Sequence, residues 1–113
     1  MPVLIEKEVT PHNFREGASR KLVHTNDLMV VVIDFFNGPW TEADPYHQHE
    51  HEQITYVASG EIMFLCQGEK PVRLQAGDLF SVPSGIPHTI QLLSEKARLV
   101  DSFNPIREDF LGS

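Results

Sequence analysis

The stretch ITYVASGEIMFLC, residues 54–66, carries the decision on fold. Residues 54–58 read as a strand, Ser59-Gly60 as a tight turn, and residues 61–66 as the returning strand. Upstream, residues 28–36 (LMVVVIDFF) form the clearest strand, rich in β-branched and aromatic side chains. Asn37-Gly-Pro39 stops it, and a loop follows through Trp40, Asp44 and Pro45. Downstream, residues 72–75 and 79–82 read as a strand pair around Ala76-Gly77-Asp78. Residues 88–93 and 97–103 read as the last pair. Between them, Pro83-Ser-Gly-Ile-Pro87 makes a rigid loop, because proline is excluded from ladder pairing. Strands at this even spacing, with no long helical pattern between them, indicate an all-β sandwich or barrel; a jelly-roll barrel is the expected form.

The 113 residues fit one domain, 1–113. Residues 28–104 are expected to form the barrel, and 105–113 a tail with one helical turn near 107–111. Residues 1–25 are expected to supply an outer strand or a contact with a second subunit of a homodimer. The formal net charge of -7, with no basic run, argues against nonspecific nucleic-acid binding. No apolar run is long enough to cross a bilayer as a helix, and Met1 to Thr10 has no signal-like apolar core. One cysteine, Cys66, excludes an intrachain disulfide and reads as a small core residue. These features suit a soluble cytoplasmic protein.

His47-Gln48-His49 places two imidazoles on one side of an extended segment, since side chains alternate with period two. Gln53 opens the next strand, with Glu50, His51 and Glu52 as the connection. His88 follows directly after Pro87. Three imidazoles and one amide oxygen suit a divalent transition metal (Ni, Zn, Mn or Fe) and leave one or two coordination positions open. His51 is expected not to be a ligand, and His12 and His24 to be surface or packing residues.

These residues resemble the two sequence motifs of the cupin superfamily. The first is His-x-His, three or four residues, Glu, six residues, Gly; here it is His47, His49, Gln53 and Gly60. The second is Gly, five residues, Pro-x-Gly, two residues, His; Gly77, Pro83, Gly85 and His88 match it at every spacing. Three departures stand out. Gln53 replaces the family glutamate, Leu92 stands where an asparagine is expected, and the glycine ahead of the first motif is displaced to Gly38. A neutral Gln53 leaves the full charge of a 2+ ion in place, which favours anionic ligands and stabilises a 3+ state less.

Leu99, Asp101 and Phe103 share one face of the last strand by parity. A carboxylate between two apolar neighbours is costly in a dry core, but makes sense as an acid or base if the face lines a metal-containing barrel. Arg107 lies four residues beyond Phe103 and offers a fork suited to a carboxylate. The alternative is a structural ion pair between Asp101 and Arg107. The run Glu52 to Val57 after His-x-His, and the ending from Asp101 to Leu111, are similar to the KdgF family of small cupins. That resemblance implies linearisation of 4,5-unsaturated monouronates left by pectin or alginate lyases. It implies a metal on His47, His49, Gln53 and His88, with Asp101 as catalytic acid or base, Phe103 in the active site, and Arg107 binding a sugar-acid substrate. Rival expectations are a cupin dioxygenase, a noncatalytic sugar-acid binding module, and a barrel that a metal merely stabilises.

Overall fold

The computed structural model describes residues 3–111; the outermost two residues of each expected terminal segment lie outside that range. After a 3-10 turn at Glu6–Glu8, nine strands follow among the described residues. They are β1 (His12–Arg15), β2 (Ala18–His24), β3 (Met29–Phe35), β4 (Glu52–Ser59), β5 (Glu61–Cys66), β6 (Val72–Gln75), β7 (Leu79–Val82), β8 (His88–Leu92) and β9 (Ala97–Asn104). A single helical turn, α1 (Glu108–Leu111), closes the chain. The strands form two antiparallel sheets, one in the order β1-β2-β3-β9-β4-β7 and the other β6-β5-β8. This is the expected all-β jelly roll, and β1 and β2 lie at one edge of the larger sheet.

The strands fall where the sequence places them, but their partners differ. The three pairs expected to be hairpins (54–58 with 61–66, 72–75 with 79–82, and 88–93 with 97–103) are not ladders. In each, one strand joins the larger sheet and the other the smaller. Thus Tyr56 of β4 faces Leu79 and Val100, while Phe64 of β5 faces Val72 and Ile90. The reason is that alternation reveals which face is buried, and two sheets packed face to face need the same pattern on both. A tight turn then serves equally well to cross from one sheet to the other. Gly60 makes such a crossing at φ +81, and a Cβ there would lie 2.2 Å from the Lys96 carbonyl oxygen. Only glycine permits both the backbone angle and that approach.

Between the sheets lies a core that includes Val57, Ile62, Phe64, Phe80, Leu92 and Leu99, with Cys66 among them as expected. Phe64 and Phe80 stack at 4.1 Å. Two departures from the cupin motifs meet in this core. Leu92 is fully buried, and a Cβ on Gly38 would come within 2.6 Å of its side chain and 2.0 Å of the Ser94 carbonyl. The displaced glycine therefore seats the loop after β3 against the β8–β9 turn.

The inward faces of β4 and β9 change character along their length. Val57 pairs with Leu99, Thr55 with Asp101, and Gln53 with Phe103. Past the Val57–Leu99 rung the interior becomes polar, and this places the functional residues at the barrel mouth. A second apolar cluster of Met29, Val31 and Phe103, with Ile106 and Phe110 against it, lies next to this polar stretch, Met29 facing Phe103 and Val31 facing Asp101 across β3 and β9. None of the helices among the described residues is long and apolar enough to cross a membrane.

Candidate metal centre

His47 and His49 lie outside the strands. His47 instead forms an isolated bridge with His88, its N–H donating to the His88 carbonyl at 3.0 Å and its carbonyl receiving the return bond at 2.9 Å. The segment runs on beside β8 through the Asp44 N–H on the Ile90 carbonyl at 3.3 Å and the Trp40 N–H on the Leu92 carbonyl at 2.9 Å, without forming a regular ladder because Pro45 has no N–H. The His49 carbonyl accepts from the Gly85 N–H at 2.8 Å, so the proline-glycine loop expected from the sequence anchors the His-x-His segment.

These bonds bring three rings together. Centroid separations are 4.3 Å for His47–His88, 4.8 Å for His49–His88 and 5.5 Å for His47–His49. One ring nitrogen from each lies within 4.8 Å of the others. The His88 Nδ1–H donates to the Ile86 carbonyl at 2.8 Å, and the His49 Nδ1–H to the His51 carbonyl at 3.3 Å. A carbonyl only accepts, so both rings carry their proton on Nδ1 and present a bare Nε2. Both Nε2 atoms are buried without a protein partner. Desolvation lowers the pKa of all three rings. His47, at the exposed rim, falls to about 4, helped by the neighbouring His88 and His49. Neutral rings with converging nitrogens, those of His49 and His88 buried and unpartnered, are what a divalent metal needs. The donor set fits.

Gln53, at the start of β4, lines the same cavity as His47 and His88. Its Nε2 donates to Thr55 Oγ1 at 2.8 Å, and the Thr55 hydroxyl donates to Asp101 Oδ1 at 2.6 Å. Asp101 is buried, and desolvation raises its pKa to about 6 against the opposing Thr55 bond and Arg107 charge. The cavity measures about 190 Å³ and is also lined by Phe103, Arg107, Phe14 and Arg15.

Arg107 reaches the mouth, but the expected alternative of an Asp101–Arg107 ion pair is not what the structure holds. Arg107 donates to Asp109, with Nη2 to Oδ2 at 2.7 Å, and lies 4.0 Å over the Phe110 ring. α1 thus fixes the guanidinium from outside. Across the mouth, Arg15 pairs with Asp44. His12 and His24 line a separate outer hollow with Arg20 and Leu22.

Two residues escape the sequence reading. His51, expected in a solvated connection, is buried, stacked at 3.5 Å on His49 and packed 4.6 Å from Phe103. Burial takes its pKa to about 4. It is not part of the convergent set, but it holds the His49 ring between backbone and stack. Thr55 is legible in principle, since period two from Gln53 puts it on the inward face.

Comparison with known proteins agrees with this geometry. The cupin domain family matches residues 38–103, more than half the chain. The chain belongs to the cupin family. Pectin degradation protein KdgF of Dickeya dadantii is 33% identical over 108 residues, covering 95% of this chain and 96% of that protein. The solved structure of KdgF from Halomonas sp. superimposes with a TM-score of 0.84 at 35% identity, covering 94% and 96% of the two chains. Human 3-hydroxyanthranilate 3,4-dioxygenase is 30% identical over 105 residues, covering 84% of this cupin but only 35% of the dioxygenase.

Proposed function

We propose that this cupin is a metal-dependent enzyme that linearises 4,5-unsaturated monouronates from pectin or alginate breakdown. The observation that carries the reading is one cavity of about 190 Å³ lined together by His47, His88, Gln53, Asp101, Phe103 and Arg107. The full-length similarity to a pectin degradation protein supports it.

The reaction is an isomerisation. The proton leaves the anomeric hydroxyl, C1 becomes an aldehyde, and the C1–ring-oxygen bond breaks. The freed oxygen becomes an enol, which ketonises as carbon 4 gains a proton. His47, His49, Gln53 and His88 would hold the metal, which when bound supplies Lewis acidity toward negative charge developing on substrate oxygen. Asp101, with its pKa near 6, accepts the hydroxyl proton and returns one near neutral pH. Asp109 holds Arg107 at Nε and Nη2, and the remaining Nη1 side of the guanidinium binds the uronate carboxylate. Phe103, buried beside Asp101, packs on the sugar face and excludes water.

A dioxygenase reading draws on the 30% identity to 3-hydroxyanthranilate 3,4-dioxygenase. Neutral Gln53 weighs against it, because a 3+ state is stabilised less without an anionic ligand. The test follows loss of alkene absorbance from lyase-generated unsaturated galacturonate and its alginate equivalent, with and without chelator. Metal-dependent acceleration above the buffer rate is expected. A rate equal to buffer with metal loaded, or oxygen uptake with Fe(II), refutes the assignment.

A further inference from the structure

We propose that the Thr55 hydroxyl sets the polarity of the Gln53 side chain, so that the amide oxygen and not its NH2 group faces the imidazole cluster. The inference rests on the metal-centre reading and is independent of the substrate.

Thr55 is fully buried on the inward face of β4, one rung below Gln53 and directly opposite Asp101. A hydroxyl has one proton to give. Asp101 Oδ1 sits 2.6 Å away, and an ionised carboxylate only accepts, so the Thr55 proton is committed there. The remaining capacity of the Thr55 oxygen is as an acceptor. Gln53 Nε2 fills it at 2.8 Å. The two ends of a planar amide point apart, so anchoring the NH2 on Thr55 leaves Oε1 for the cavity. For a cation the difference is decisive. An amide oxygen offers lone pairs, whereas an amide NH2 offers only protons that repel it. A glutamate at this position would need no such device, because both of its ends are oxygen. Thr55 is therefore a positioning residue tied to the departure that Gln53 represents.

The test uses the metal-free full chain and Ni(II) alone, titrated against a competing chelator at pH 8. Thr55→Val keeps the volume and removes the hydroxyl. It should weaken Ni(II) binding by about 10- to 100-fold, the range for losing a hydrogen-bond partner behind a ligand. Thr55→Ser restores the hydroxyl and should bind within about threefold of the parent. The visible spectrum of the Co(II)-loaded protein should change for Val and not for Ser. When Gln53→Glu is already in place, adding Thr55→Val should have little further effect. Far-UV circular dichroism checks folding, and Thr55→Ala replaces Val in the same titration if Val does not fold. Three results would each overturn the proposal. They are equal affinity for Val and the parent, a loss for Ser as large as that for Val, and a loss from Thr55→Val that is undiminished when Gln53→Glu is present. A chain that binds Ni(II) in the expected pattern but leaves uronates untouched keeps Thr55 in this role and refutes only the substrate reading.

Discussion

Asp101→Asn should make the metal-free protein more stable at pH 8 while abolishing turnover. The carboxyl is buried, and desolvation moves its pKa from 3.8 to about 6. At about 1.4 kcal/mol for each tenfold change, that displacement is about 3 kcal/mol. The sign follows from the direction. A raised carboxyl pKa means that the folded state holds its proton more tightly than the unfolded chain. The associated stability is complete below pH 3.8 and is lost as pH rises through about 6. Asparagine never ionises, yet its oxygen still accepts the Thr55 bond. The difference in unfolding free energy between variant and parent should therefore shift by about 2.4 kcal/mol in the variant's favour between pH 4 and pH 8. Urea unfolding of both proteins without metal at several pH values measures it, and taking the difference cancels the titration of the histidines. A difference that stays flat across this range would refute the burial argument. Asparagine turning over as fast as the parent would remove Asp101 from the chemistry.

Loss of Ni(II) on acidification should be centred below the ordinary imidazole range, because desolvation lowers the pKa of all three rings, that of His47 to about 4. A loss of Ni(II) already centred near 6.5 would contradict that burial. Arg107→Lys should raise KM for the uronate by about tenfold with a smaller change in kcat, since the fork and the Asp109 contact are lost but the charge stays. An unchanged KM in the alkene-loss assay would place the carboxylate elsewhere. Gly60→Ala should destabilise the fold by more than about 2 kcal/mol, because its Cβ meets the Lys96 carbonyl at 2.2 Å with φ at +81. A melting temperature within a degree of the parent would show that the β4–β5 crossing yields easily.

The strand positions and the three-imidazole cluster were legible because they rest on local rules. Period two marks the His47, His49 pair and the Leu99, Asp101, Phe103 face, motif spacing marks Gln53 and His88, and glycine and proline mark the turns. Strand partnership was not legible. Residues 54–58 and 61–66 carry the same inward alternation whether they pair with each other or lie in opposing sheets, and the Gly60 crossing depends on Lys96 and Ala97, far along the chain. His51 was hidden for a similar reason. Between two glutamates it looks solvated, and only the bend that lays it on His49 and Phe103 buries it. Arg107 lines the mouth as the sequence suggests, but its ion partner depends on α1, whose turn brings Asp109 to the guanidinium in place of Asp101.

Anomalous diffraction from crystals grown with Ni(II) tests the central claim most directly. A single strong peak should lie about 2.1 Å from a ring nitrogen of each of His47, His49 and His88 and against the Gln53 amide oxygen, on the side open to Asp101 and Arg107. A peak bound elsewhere, or no peak between these rings at saturating metal, would contradict it.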